Sequence, residues 1–337
     1  MAKASAIERI AVIGGGAWGT ALAQIARSAG RVVTLWAREA EVVAAINREH
    51  VNPLFLPGVA LDPDIRCVPD PREAARGVDA VLLAVPAQHL RAVSAALAPS
   101  QIPIVACAKG IEEKTGALLS EIVAATLPGV PLALLSGPTF AAEVARGLPT
   151  AVTLATADAA LGRRLTEALG TRSFRPYLSD DVVGVEIGGA VKNVLAIACG
   201  IVEGRNLGDN ARAALITRGL AEMVRLALAK GGRAETLMGL SGLGDLVLTC
   251  TGAQSRNYSL GVALGEGRAL AAILGERRSI AEGVASAAAT AALARRLKVE
   301  MPIVAAVDAI LHRGAAIDQA IAALLARPFK SEAPARA

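Results

Sequence analysis

The chain has 337 residues, 53% of them hydrophobic but only 2% aromatic. It is long enough for two domains with a sizeable core, and that core has to be built from Ala, Val, Leu and Ile, which favours packed helices and buried parallel strands over a loop-rich β fold. The formal net charge of +5 is dispersed without a basic run, which argues against a nucleic-acid partner and suits an anionic small molecule.

The early segments alternate. Residues 10–13, 32–36, 80–85, 102–107, 132–135 and 151–155 read as buried strands, and 20–29, 88–96 and 118–126 as helices between them. Strands alternating with helices predict a mostly parallel, doubly wound sheet covered on both faces. Residues 172–177 form the expected last strand and link. Beyond 180 strand signals cease and helical periodicity runs to 325. The predicted organisation is a nucleotide-binding unit over 1–179, an all-helical unit over 180–330 with a cleft between them, and a tail over 331–337.

A secretory leader is not expected ahead of the apolar run at 10–13, which leads directly into glycines. The uncharged stretch 122–142 could span a bilayer by length, but Pro128, Pro131, Gly137 and Pro138 break it. Cys67, Cys107, Cys199 and Cys250 form no CxxC pair, and the histidines at 50, 89 and 312 are scattered. The expectation is a reduced, cytoplasmic chain without membrane insertion and without a His/Cys metal site, an all-carboxylate magnesium site being left open on this count.

The first expected strand runs into Gly14-x-Gly16-x-x-Gly19 and then an apolar helix, the context that turns a weak glycine pattern into a dinucleotide fingerprint. Gly14 permits the tight turn, Gly16 lets backbone approach a pyrophosphate, and Gly19 lets helix and strand pack closely. The fold class this implies is Rossmann-like. At the end of the second strand, where an acidic residue would hold the ribose 2′-hydroxyl of NADH, Arg38 stands instead. Its guanidinium suits the 2′-phosphate of NADPH. Glu39 is next door and Arg38 is also readable as a solvated surface residue, so NADH remains possible.

Polar groups in apolar settings mark the chemistry. Lys109 ends a buried strand at the sheet edge where open α/β sheets bind ligands, and Gly137 and Thr139 leave the next strand in the same way. Lys192 interrupts an almost uncharged helix behind Gly188 and Gly189, whose use is close approach of another chain segment or a cofactor. Desolvation there lowers the lysine pKa toward neutrality, which suits proton transfer; a structural lysine with a solvated tip is the alternative. Asp245 either orients that lysine and the substrate or caps a helix starting after Gly244. Ser255, Arg256 and Asn257 offer a guanidinium fork for phosphate, or a solvated loop.

Taken together, GGGAWGTALA at 14–23, CAKGIE at 107–112, LLSGPTFAAEVARGLPTAV at 134–152, GGAVKNVLAI at 188–197, ALITRGLAEM at 214–223, GLGDLVLTCTGAQSRN at 242–257, AEGV at 281–284 and MPIV at 301–304 resemble the bacterial type of NAD(P)-dependent glycerol-3-phosphate dehydrogenase. The resemblance spans roughly 10–325. It implies reversible reduction of dihydroxyacetone phosphate to sn-glycerol 3-phosphate for phospholipid synthesis, and a homodimer. It also implies Lys192 as general acid/base and Lys109, Gly137, Thr139, Asp245, Ser255, Arg256 and Asn257 as the substrate shell. Cofactor contacts are implied at Ala17, Trp18, Arg38, Lys109, Ala141, Arg256, Ile280 and Glu282, the last pair on resemblance alone. Gly15 departs from the commoner alanine.

Overall fold

The computed structural model describes residues 6–97, 101–276 and 281–328; Ile280 and the expected tail over 331–337 lie outside the described residues. In chain order the first part holds β1 (Arg9–Ile13), α1 (Ala17–Ser28), β2 (Val32–Trp36), α2 (Ala40–Glu49), β3 (Val51–Asn52), β4 (Leu56–Ala60), β5 (Arg66–Val68), α3 (Pro71–Ala74), β6 (Ala80–Leu83), α4 (Ala87–Ala96), β7 (Ile104–Ala106), α5 (Leu119–Thr126), β8 (Leu132–Ser136), α6 (Ala141–Ala145), β9 (Thr150–Ala155), α7 (Ala159–Leu169) and β10 (Phe174–Ser179). Helices follow: α8 (Val182–Gly204), α9 (Gly208–Lys230), α10 (Ala234–Leu237), a π-type turn (Leu240–Gly244), α11 (Asp245–Thr251), α12 (Arg256–Gly265), α13 (Leu270–Gly275), α14 (Glu282–Arg296), α15 (Pro302–His312) and α16 (Ile317–Leu325).

Eight strands form one sheet in the order β10-β9-β8-β7-β6-β1-β2-β5. Alternation along each strand feeds two cores: Ile10 and Val12 of β1 point into one, Ala11 and Ile13 into the other, as the period of two requires. Pairing is parallel from β5 to β8, whereas β9 meets β8 antiparallel and β10 runs parallel to β9. β3 and β4 stand apart as a small antiparallel hairpin.

The helical part starts where Asp181 accepts the Gly184 N–H at 2.9 Å, capping α8, and the Arg233 N–H at 2.8 Å. α8 is its axis, buried from Gly184 to Val202, with α9, α11, α12, α14 and α15 packed around it. By length and a mean hydropathy of 1.7 it could cross a membrane, yet its apolar stretch is buried inside the protein. α8 also packs on β8 and β9, which carries its middle turns to the carboxyl edge of the sheet.

Candidate active site

The loop after β1 has the geometry its glycines predict. Gly14 adopts φ +131°, and a Cβ there would lie 2.7 Å from the Ala84 carbonyl oxygen; a Cβ at Gly19 would strike the Gly14 oxygen at 1.8 Å. Gly16, the N-cap of α1, faces open space and supplies no side-chain cap. The first-turn N–H groups and helix dipole of α1 therefore remain available to an anion, with Ala17 and Trp18 in that first turn. This open, uncapped cradle fits a dinucleotide pyrophosphate. Arg38 follows β2 with its side chain 77% exposed and donates twice to Glu39 Oε1, at 2.7 and 3.0 Å.

Gly15 has a separate constraint. A Cβ at that position would come within 2.4 Å of the Ala37 Cβ, so the small residue at 15 answers the methyl group at 37. Overpacking of this kind costs about 1–3 kcal/mol. Gly15→Ala should weaken NADPH binding about tenfold, and adding Ala37→Gly should restore it; fluorescence titration of both chains is the check, and a second substitution that brings no recovery would refute the size match.

Trp18 links this cradle to the strand that leads to Lys109, its indole N–H donating to the Cys107 carbonyl at 3.0 Å, two residues before that lysine. Lys109 Nζ donates to Asp245 Oδ2 at 2.7 Å, to the Gly137 carbonyl at 2.8 Å and to Thr139 Oγ1 at 3.4 Å. Lys192 Nζ donates to the other oxygen of the same carboxylate, Asp245 Oδ1, at 2.5 Å and to Thr249 Oγ1 at 2.9 Å. Asp245 is fully buried and Lys192 nearly so. The bond network pulls together residues from the ends of β7 and β8, the middle of α8 and the start of α11.

One carboxylate cannot neutralise two ammonium groups. The Lys192 pKa falls from 10.5 to about 7: burial lowers it most, Asp245 pulls it back up, and the positive charge of Lys109 adds to the lowering. The glycines before Lys192 serve the close approach expected of them: a Cβ at Gly188 would meet the Ser241 carbonyl oxygen at 2.4 Å, and one at Gly189 the Ser136 hydroxyl at 2.9 Å. Asp245 is the first residue of α11, but its carboxylate faces the lysines and caps nothing.

The remaining candidates flank this cluster. Ser255 caps α12 by accepting the Tyr258 N–H at 3.2 Å. Asn257 is buried, donating to Asn193 Oδ1 at 3.0 Å and accepting the Gly283 N–H at 2.9 Å, so its amide joins α12 to α8 and α14. Arg256, between them, is exposed. Its charge bears on Glu282, whose carboxyl burial raises to about 7 against the pull of Arg256 and the Ala87 N–H. Ala141 opens α6, which packs on α1. Thr249 and Asn193 were not anticipated. The four-residue spacing from Asp245 to Thr249, one helical turn, is the signal that places both on one face.

A nucleotide-binding sheet joined to a helical lobe, with a buried lysine on a shared carboxylate at the junction, defines a two-lobed nicotinamide-dependent dehydrogenase. The sequence matches the NAD-dependent glycerol-3-phosphate dehydrogenase N-terminus over residues 9–162 and the C-terminus of the same family over 181–322. A glycerol-3-phosphate dehydrogenase [NAD(P)+] of Rhodospirillum rubrum is 63% identical over 329 residues, 97% of this chain and 94% of that protein. The crystal structure of glycerol-3-phosphate dehydrogenase from Coxiella burnetii superposes with a TM-score of 0.91 at 43% identity, covering 95% of this chain and 99% of that one. The chain belongs to the NAD-dependent glycerol-3-phosphate dehydrogenase family. D-mandelate dehydrogenase shares the fold at a TM-score of 0.62 and 16% identity, over 93% of this chain and 99% of that one. The architecture alone therefore does not choose the substrate.

Proposed function

We propose that this chain interconverts dihydroxyacetone phosphate and sn-glycerol 3-phosphate, supplying the backbone for glycerophospholipid synthesis in the cytoplasm as a homodimer, with no nucleic-acid or membrane-inserted role. The observation that carries the reading is the Lys109–Asp245–Lys192 cluster, cationic and water-poor, at the carboxyl edge of the sheet. The nicotinamide, when bound, supplies or accepts the hydride. Gly14, Gly16, Ala17, Trp18 and Gly19 would hold its pyrophosphate and Arg38 a 2′-phosphate. Lys109, Ala141, Arg256, Ile280 and Glu282 would complete its pocket.

Lys192, as ammonium, gives a proton to the carbonyl oxygen of the ketone during reduction and takes it back from the hydroxyl during oxidation. Lys109 and Asp245 orient the substrate oxygens, with Gly137 and Thr139 beside them, and the ammonium charges stabilise the developing alkoxide. Arg256, flanked by Ser255 and Asn257, anchors the phosphate, so that binding energy from a non-reacting group fixes the reacting carbon.

The test is loss of reduced-nicotinamide absorbance with dihydroxyacetone phosphate, in parallel with NADPH and NADH. Oxidation is expected with the phosphorylated ketone and not with free dihydroxyacetone; no oxidation with either cofactor would reject the reading. Arg38→Ala should reduce the NADPH to NADH preference by roughly 10-fold, the worth of a charge-assisted contact. An unchanged ratio would mean that Arg38 stays with Glu39.

A further inference from the structure

The hairpin of β3 and β4 takes no part in the main sheet, yet its Asn52 is completely buried. The Asn52 side chain donates to the Gly15 carbonyl at 2.9 Å and to Thr20 Oγ1 at 2.9 Å, while its Oδ1 accepts the Phe55 N–H at 3.1 Å. Thr20, also fully buried, donates weakly to the same Gly15 carbonyl at 3.4 Å. The Phe55 bond assigns which end of the amide is oxygen, since only Nδ2 can serve both acceptors.

The Gly15 carbonyl and the Gly16 N–H share one planar trans peptide, and so point in opposite directions. Holding the carbonyl inward on Asn52 turns the Gly16 N–H the opposite way, away from Asn52. Without Asn52, the carbonyl would be a buried acceptor lacking its main partner, and rotation of that peptide toward solvent would swing the N–H away.

We propose that Asn52 is a positioning residue for the dinucleotide: through its bond to the Gly15 carbonyl it aims the Gly16 N–H at the cofactor pyrophosphate. This assigns the β3–β4 hairpin a task, as the strut that holds the phosphate-binding loop in its binding conformation. The inference rests on the reading of residues 14–19 as the pyrophosphate site.

The experiment measures NADP+ affinity by calorimetry, together with the melting temperature and kcat at saturating cofactor, for the parent chain, Asn52→Ala, Asn52→Asp and Thr20→Val. Asn52→Ala should weaken NADP+ binding roughly 10- to 100-fold, the worth of a buried hydrogen bond whose acceptor is left unpaired, with kcat at saturation and the KM for the phosphorylated substrate close to parent values. Asn52→Asp conserves volume but replaces the amide N–H donor with a carboxylate oxygen facing the Gly15 carbonyl, and should bind at least as poorly. Thr20→Val keeps the Asn52–Gly15 bond and should bind nearly as the parent does. If Asn52→Ala does not fold, Asn52→Asp decides. A folded Asn52 variant with lowered melting temperature and parental NADP+ affinity would overturn the proposal. Failure of the parent chain itself to bind either NADP+ or NAD+ would instead overturn the reading of the loop.

Discussion

Replacing Lys192 with Met is expected to lower kcat for dihydroxyacetone phosphate reduction roughly 10²- to 10⁴-fold, the range general acid catalysis supplies, with cofactor affinity unchanged. Methionine fills most of the space of the lysine stem, so no large cavity opens in α8. Asp245 keeps Lys109 as its partner at 2.7 Å, so no buried carboxylate is stranded. The loss is therefore chemical, and near-parental turnover in Lys192→Met would remove Lys192 from the proton-transfer step. The pH dependence follows from a pKa of about 7. Below it Lys192 is an ammonium and can donate; above it the amine is free and can accept. Reduction should fall, and oxidation of glycerol 3-phosphate should rise, as pH increases through about 7, and both limbs should vanish in Lys192→Met. Stability carries the same signature. Between the folded value of about 7 and the ordinary 10.5, the unfolded chain binds the extra proton, so parent stability gains from this group as pH rises across that window. Lys192→Met should lose that gain, which melting curves across the window would read.

How legible such a site is depends on the physical signal each residue leaves. Strands buried on both faces read as apolar runs, and β1, β2 and β6 to β9 lie within a few residues of the segments the sequence indicates. Their direction leaves no trace, and the reversal at β9 emerged only from pairing. The last strand, expected over 172–177, is Phe174–Ser179, because Thr171 and Ser173 make the turn that precedes it. The β3–β4 hairpin escaped notice since Pro53 and Pro57 punctuate it and its polar-apolar alternation is short. Lys192 was legible because a charge inside an apolar helix demands a reason. Asn52 was not: a lone asparagine between a helix and a proline reads as a turn residue, and its partners at Gly15 and Thr20 are 37 and 32 positions away. Thr249 was hidden in the same way, a hydroxyl in an apolar helix whose importance depends on the lysine that α8 brings to it.

Asp245→Asn should damage stability as well as chemistry. Asp245 is the sole carboxylate placed between Lys109 and Lys192 in the hydrogen-bond network described, and it is fully buried. Removing one partner of a buried ion pair costs about 3–5 kcal/mol, and here two cations lose the same partner. An amide retains the shape and can still accept from Lys192 through its oxygen, so the fold should persist with a lowered melting temperature. Lys192 can relieve the loss by shedding its proton. Since Asp245 holds the Lys192 pKa up and Lys109 pushes it down, loss of the carboxylate should move the pKa below about 7, carrying the reduction limb to lower pH. At neutral pH reduction then suffers more than oxidation, because the donor form is scarce and the acceptor form is not. Adding Lys109→Met to Asp245→Asn takes away the competing ammonium. The double variant should recover part of the melting temperature and move the Lys192 limb back upward, a non-additivity that residues sharing one partner show and independent sites do not. If the two substitutions lower stability additively and leave the limb where the single variant put it, the shared carboxylate does not govern the ionisation of Lys192.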